Sequence, residues 1–112
     1  MSQEEDRVGR VFQALGDPTR RRILRMLAER PCSVKGLAEP LGISITGVSQ
    51  QLRLLEEAGL VATEKVGRVR TCRIEPAGLD LARSWIEETR PQWSRRFDRL
   101  GALLGGDESE SP

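Results

Sequence analysis

Two short helices joined by a glycine turn constrain the fold of this chain more than any other feature. Ser33 can cap a helix that runs to Leu41, and Gly42 suits the left-handed position that ends a helix. Ser44 can cap the next helix, which Gly59 ends. The buried stripe of this second helix is predicted to be Val48, Leu52 and Leu55. Two short helices joined in this way form a helix-turn-helix.

Two further helices are predicted before this motif. Apolar residues recur at helical spacing over residues 7–15, and Gly16 closes this first helix; they are Val8, Val11, Phe12 and Leu15. Asp17 can cap the second helix with Pro18 at its first position, where the missing N–H costs nothing. The second helix is predicted to stop before Pro31.

A β-hairpin is predicted directly after the helix-turn-helix. Residues 60–66 and 69–75 are rich in β-branched side chains, and Gly67 and Arg68 between them suit a two-residue turn. A hairpin in this position is a wing. Cys72 and Ile74 share one face of the second strand, and we expect both to point inward.

The chain returns to a helical pattern from Ala77. Residues that are apolar, except for Thr89, follow at steps of three or four and form one row: Leu79, Ala82, Ile86, Thr89, Trp93, Phe97, Leu100 and Leu104. Pro91 interrupts the pattern, because proline removes a helical hydrogen-bond donor. The sequence predicts either a kink near Arg90 or two helices, the second starting at Pro91. The fold class is therefore mainly α with a small β-hairpin, a winged helix-turn-helix.

The formal net charge of +1 conceals an uneven distribution. Residues 7–74 contain 13 Lys and Arg against 6 Asp and Glu, whereas acidic residues collect at both ends. A basic middle suits a polyanionic partner. We expect one domain over residues 1–104, followed by a disordered acidic tail of sequence GGDESESP over residues 105–112.

Several classes of function are disfavoured by what the sequence lacks. The 112 residues contain no histidine, which removes the most frequent general base and zinc ligand, and we expect neither enzyme activity nor a cofactor. The two cysteines, Cys32 and Cys72, are too few for a disulfide scaffold and are expected to be reduced and buried. No secretory signal or run of about 18 apolar residues stands out. We expect a soluble, cytoplasmic protein without a membrane partner.

Three segments carry a resemblance to a known family. They are LGDPTRRRILRML, GLAEPLGISITGVSQQLRLLEEAGLV and KVGRVRTCRI. Together with the order of elements they closely resemble the ArsR-type (ArsR/SmtB) repressors, over about residues 8–104. The capped Asp-Pro-Thr-Arg helix start, the Ser-x-x-x-Val-Ser recognition helix and the Ala-Gly-Leu-Val hinge into a Gly-Arg wing occur together in the right order.

The resemblance implies a symmetric homodimer that blocks a promoter until a signal, which could be a small-molecule inducer, releases it. It also implies an interface built from the first and last helices. The apolar row on the last helix supports this independently, because it exceeds what a lone terminal helix could bury against so small a core. The predicted interface residues are Val8, Phe12, Trp85, Ile86, Trp93, Phe97 and Leu100.

The sequence departs from the metal-sensing members of this family. Ser33 and Lys35 stand where those proteins place thiolates in the third helix, with Gly36 where an acidic residue often follows. Cys32 lies one residue before the position that matches the first cysteine of the metal-sensing motif. Their other ligand set, on the last helix, typically needs histidine, and none is present. We therefore expect no metal site and no metal sensing.

The polar face of the second helix of the motif is predicted to read DNA. A recognition helix enters the major groove with its N-terminal residues at the base edges, while phosphate contacts hold the register. The candidates lie largely off the apolar stripe; they are Ser44, Thr46, Gly47, Ser49, Gln50, Gln51 and Arg53. Gln50 or Gln51 could bond an adenine edge, Thr46 a thymine methyl, and Arg53 guanine or phosphate.

The wing supplies a second set of candidates. Arg68, at the hairpin tip, is predicted to enter the minor groove, and Lys65 and Arg70 to neutralise phosphates. Arg20, Arg21 and Arg22 could serve DNA binding or could form an ordinary basic helix face, and the sequence does not separate these interpretations.

Two alternative functions stay open. One is a redox-sensing repressor that uses Cys32 and Cys72 as its switch. Bridging needs α-carbons within about 7 Å, and we expect the two thiols to be too far apart, because one precedes the third helix and the other lies within the wing. This distance argument does not apply to a disulfide between two subunits.

The other alternative is a winged helix that binds proteins. Such modules usually lose the Ser, Thr, Gln and Arg that the predicted recognition helix of this chain retains.

Overall fold

The computed structural model describes residues 2–104, so the predicted acidic tail lies outside the described residues. The chain divides into two compact units, one up to Ala82 and one from Arg83. The elements of the described residues are α1 (Gln3–Leu15), α2 (Pro18–Glu29), β1 (Cys32–Ser33), α3 (Val34–Leu41), α4 (Ile45–Glu57), β2 (Val61–Val66), β3 (Val69–Ile74) and α5 (Pro76–Leu103). The predicted winged helix-turn-helix is confirmed.

Short polar side chains set the starts of the helices. The Asp17 carboxylate accepts from the backbone N–H of Arg20 at 3.1 Å, and the Ser33 hydroxyl accepts from that of Gly36 at 2.9 Å. Gly42 ends α3 with a φ of 70°, a left-handed conformation that glycine adopts without strain. These caps are where the sequence predicts them.

Helix α1 begins four residues earlier than predicted, at Gln3 rather than Arg7. The Ser2 hydroxyl accepts from the backbone N–H of Glu5 at 3.1 Å and caps the helix. The acidic residues of the first turn are also favourable near the positive end of the helix dipole. Apolar periodicity missed this turn because its residues are all polar.

The hydrophobic core lies in the first unit, beneath the helix-turn-helix. The apolar stripes of α1 to α4 meet the inner face of the sheet there. The largest fully buried side chains are Val11, Ile23, Leu37, Val48, Leu52, Leu55, Leu60 and Cys72. No charged side chain is buried in residues 2–104, so the charged residues of that part of the chain lie at the surface or near it.

The wing belongs to a three-stranded antiparallel sheet in the order β1-β3-β2. The hairpin of β2 and β3 is as predicted, with Val66 opposite Val69 and Gly67-Arg68 as the turn. Strand β1 was not predicted, and it places Cys32 directly opposite Cys72. The expectation that these two cysteines lie too far apart for a bond is therefore wrong, because it overlooked the pairing of β1 with the wing.

Helix α5 is a single helix with Pro91 inside it, so the predicted division into two helices is wrong. Proline has no N–H to donate within a helix, yet α5 continues on both sides of Pro91. Just before it, the Thr89 hydroxyl donates to the carbonyl oxygens of Trp85 at 3.1 Å and Ile86 at 3.3 Å.

Candidate nucleic-acid interface

Helix α4 separates a buried stripe from a polar face. Val48, Leu52 and Leu55 are buried, whereas Thr46, Gln50 and Arg53 are exposed. Ser49 and Gly47 are half-buried. The exposed polar side chains therefore share the side of the helix that faces away from the core.

The N-terminus of α4 is organised by Ser44. Its hydroxyl accepts from the backbone N–H of Gly47 at 2.9 Å, so this candidate serves as the helix cap. A Cβ at position 47 would lie 3.3 Å from the Ser44 oxygen and 3.7 Å from Cδ1 of Ile43. A larger residue at position 47 would therefore press on the capped turn.

Gln51 differs from Gln50 in its surroundings. Nη1 of Arg20 donates to Oε1 of Gln51 at 3.1 Å, and Nε of Arg20 donates to the carbonyl of Ala14 at 2.8 Å. Arg20 thereby ties the carboxyl end of α1 to α4. The side-chain oxygen of Gln51 is engaged within the protein, while Gln50 is exposed.

The other two arginines of the basic run also contact backbone carbonyls. Nη1 of Arg21 donates to the carbonyl of Leu15 at 2.7 Å, and Nη2 of Arg22 donates to that of Pro40 at 3.3 Å. Carbonyls in the last turn of a helix lack an N–H donor from the next turn, and these guanidinium groups donate to them instead. All three arginines have a structural role, a function that sequence reasoning did not assign.

All three candidate cations of the wing are exposed, but Arg70 is also held in an ion pair. Arg68 lies exposed in the two-residue turn, and Lys65 is exposed on β2, opposite Arg70 on β3. Nη2 of Arg70 lies 3.3 Å from Oε1 of Glu56, whose Oε2 accepts from the Thr63 hydroxyl at 2.9 Å. Arg70 thus links the wing to the carboxyl end of α4.

The candidate dimer-interface residues lie on α1 and α5. On α1, Val8 is half-buried and Phe12 is exposed. On α5, all five candidates are exposed, up to 71% for Phe97, and the rings of Trp85 and Trp93 meet edge to face with centroids 6.1 Å apart. These five side chains of α5 are therefore exposed to solvent in the single chain.

The part of the chain that the structure describes offers no metal cluster. Among residues 2–104, no group of three or more Cys, Asp or Glu side chains is placed to hold a metal ion. In the same range, no helix combines the length and the apolar character that crossing a membrane requires.

Comparisons with known proteins agree with this architecture. A helix-turn-helix domain family matches residues 15–64. The transcriptional regulator Rv2034 of Mycobacterium tuberculosis is 42% identical over 102 residues, 91% of this chain and 92% of the relative.

Two solved structures are also similar. The ArsR family transcriptional regulator RHA00566 superposes with a TM-score of 0.76 at 36% identity, covering 84% of this chain and 97% of that one. A homodimeric winged helix-turn-helix domain from Mycobacterium bovis, described as a possible ArsR-family regulator, has a TM-score of 0.63 at 29% identity and covers 88% and 93% of the two chains.

Proposed function

This chain belongs to the ArsR family of DNA-binding transcription regulators, and we propose that it is a homodimeric repressor that binds an inverted-repeat operator. Each subunit would place α4 in the major groove and its wing over the adjacent backbone. The homodimeric state of the similar M. bovis domain supports the pairing of two copies. Occupation of the operator would block the promoter until an inducing signal releases the protein.

The observation that carries this proposal is the exposed polar face of α4. The major groove is about 12 Å wide and admits an α-helix. Thr46 and Gln50 lie in the N-terminal half of α4, the part of a recognition helix that meets base edges. Glutamine pairs with adenine in bidentate fashion, and the threonine methyl suits thymine. Arg53, one turn further on, is placed for guanine or a phosphate.

The wing supplies positive charge that attracts DNA of any sequence. Lys65 is exposed and suits a phosphate, and Arg68 at the turn suits a narrow minor groove. Arg70 has to share its guanidinium with Glu56, so we assign it a smaller part in phosphate binding and a part in holding the wing against α4.

We also propose that no divalent metal controls the protein. The absence of histidine from the whole sequence supports this, as do Ser33 and Lys35 at the positions that match metal thiolates. Two cysteines alone do not supply the three or four ligands of a typical zinc site.

Replacing Gln50 with Ala should weaken binding to the cognate duplex by at least about tenfold and relax the base preference at one position per half-site. Binding to a scrambled duplex should barely change, because Gln50 is assigned to a base edge and not to a phosphate. Fluorescence anisotropy on both duplexes measures this. Gln3→Ala, the same change on an exposed residue of α1, is the matched control and should leave both affinities unaltered. Equal losses of affinity on both duplexes would refute the role of Gln50.

Replacing Lys65 with Ala should weaken binding to cognate and scrambled duplexes alike. A bond to a phosphate carries no sequence information, and removing one from each subunit lowers the salt slope of log K by about one per subunit. A salt series on both duplexes measures the slope. The assignment of roles fails if Lys65→Ala and Gln50→Ala behave alike on both duplexes.

A further inference from the structure

The two cysteines lie opposite each other in an antiparallel strand pair. Cys32 of β1 and Cys72 of β3 are Cα partners, and both are free thiols. Opposed residues in such a pair have side chains on the same face and α-carbons about 4.5 or 5.5 Å apart. Both values fall within the range of about 4.4 to 6.8 Å that disulfides span.

The two thiols differ in their surroundings. Cys32 is half-buried, and its Sγ lies 3.4 Å from the carbonyl oxygen of Arg30. Cys72 is fully buried, and this burial raises the pKa of its thiol to about 11, with smaller effects from Arg70, Glu56 and Cys32. Cys72 therefore stays protonated at neutral pH, and Cys32 is the sulfur that a dissolved oxidant reaches first.

We propose that Cys32 and Cys72 are a dithiol that hydrogen peroxide oxidises to an intramolecular disulfide, joining the start of the helix-turn-helix to the wing. The Cys32 sulfur attacks one peroxide oxygen, the O–O bond breaks, and the thiol proton leaves with the released hydroxide as water. Cys72 then attacks the sulfenic sulfur of Cys32. The S–S bond forms, the S–O bond breaks, and the departing hydroxide takes the Cys72 proton as a second water. The thiols lose the two electrons that the peroxide gains.

The bond would restrain the elements that the proposed DNA-binding surface depends on. Cys32 precedes the Ser33 cap of α3, and Cys72 lies in the strand that continues from the Arg68 turn. The closed loop of about 40 residues contains the whole helix-turn-helix, and closing a loop of that size restricts the unfolded chain. Because the strand register already brings the residues together, the oxidised protein should keep its fold and gain stability. This inference does not depend on DNA binding.

The test is to treat the full-length protein with hydrogen peroxide and map its peptides without reduction. We expect both free thiols to disappear, a peptide containing Cys32 to be linked to one containing Cys72, and the melting temperature to rise by about 10 °C. A reductant such as dithiothreitol should reverse all three changes. Retention of both thiols, or a disulfide that lowers the melting temperature, would overturn the proposal.

Two variants separate this bond from other oxidation products. Cys32→Ser should melt close to the reduced wild-type protein and gain nothing from peroxide. In Cys72→Ala the sulfenic acid on Cys32 should persist and be trapped by dimedone, whereas in the wild-type protein it should be consumed. A covalent dimer linked through Cys32 as the main wild-type product would contradict an intramolecular bond, whatever the stability of the Cys72 variant.

Discussion

Replacing Phe97 with Glu should convert the protein to a monomer and weaken operator binding by at least about 100-fold. Phe97 is 71% exposed in the single chain, in the same apolar row of α5 as Trp93 and Leu100. A charge in a buried apolar interface is costly unless it is paired. Once the subunits separate, each half-site is bound alone and the protein no longer benefits from simultaneous binding, which is worth about 10² to 10⁴ in affinity.

Sedimentation at micromolar concentration, with a titration of the cognate duplex, measures both effects. Ala102→Glu is the matched control, since Ala102 is an exposed residue of the same helix and lies about 140° around it from Phe97. It should remain dimeric and bind DNA as the wild-type protein does. A dimeric Phe97→Glu with unchanged affinity would contradict the proposed interface, and far-ultraviolet circular dichroism would show that the variant is folded.

Replacing Gly78 with Ala should destabilise the fold by about 3 kcal/mol, the upper range for overpacking in a core. Gly78 is buried near the start of α5, and its N–H donates to the carbonyl of Gly59 at 2.9 Å. A Cβ at this position would lie 2.6 Å from that same oxygen, 2.8 Å from its carbonyl carbon and 3.0 Å from Cδ2 of Leu60. The first two atoms belong to the backbone at the junction of α4 and β2, so the clash cannot be relieved by turning a side chain.

Urea denaturation of the variant and of Gly9→Ala measures this difference. Gly9 is an exposed helical glycine, and nothing lies within 4 Å of an added Cβ. The same substitution there should stabilise the protein by about 0.5 to 1 kcal/mol, because alanine favours helix more than glycine. Similar urea midpoints for the two alanine variants would contradict the close packing of Gly78 against Gly59.

Local signals in the sequence predicted most of the fold. Asp17, Ser33 and Ser44 each cap a helix through the residue three positions later, so the information lies within a few residues. Strand β1 could not be found in this way. It has two residues, too few to show alternation, and it exists because it pairs with β3, about 40 residues away. The error about Cys32 and Cys72 follows from that one missing strand.

The sequence was enough to predict which face of α4 carries the candidate DNA-binding residues, but not which side chains hydrogen-bond to one another. Helical periodicity is enough to place Thr46, Gln50 and Arg53 on one side of α4. The hydrogen bond from Arg20 to Gln51 joins residues 31 positions apart, and that from Arg70 to Glu56 joins residues 14 apart. Such pairs depend on how the elements pack. No pattern in the sequence distinguishes a guanidinium bound to a carbonyl or carboxylate from one free to meet DNA.

The most direct test of the central claim is to let the full-length protein select duplexes from a random pool and to sequence the bound DNA. We expect an imperfect inverted repeat whose half-sites lie about one helical turn, or a multiple of it, apart on one face of the duplex. The selected duplex should bind at least about 10³-fold more tightly than a scrambled one at physiological salt. A pool in which no sequence is enriched, with equal affinity for both duplexes, would contradict sequence-specific DNA recognition by this protein.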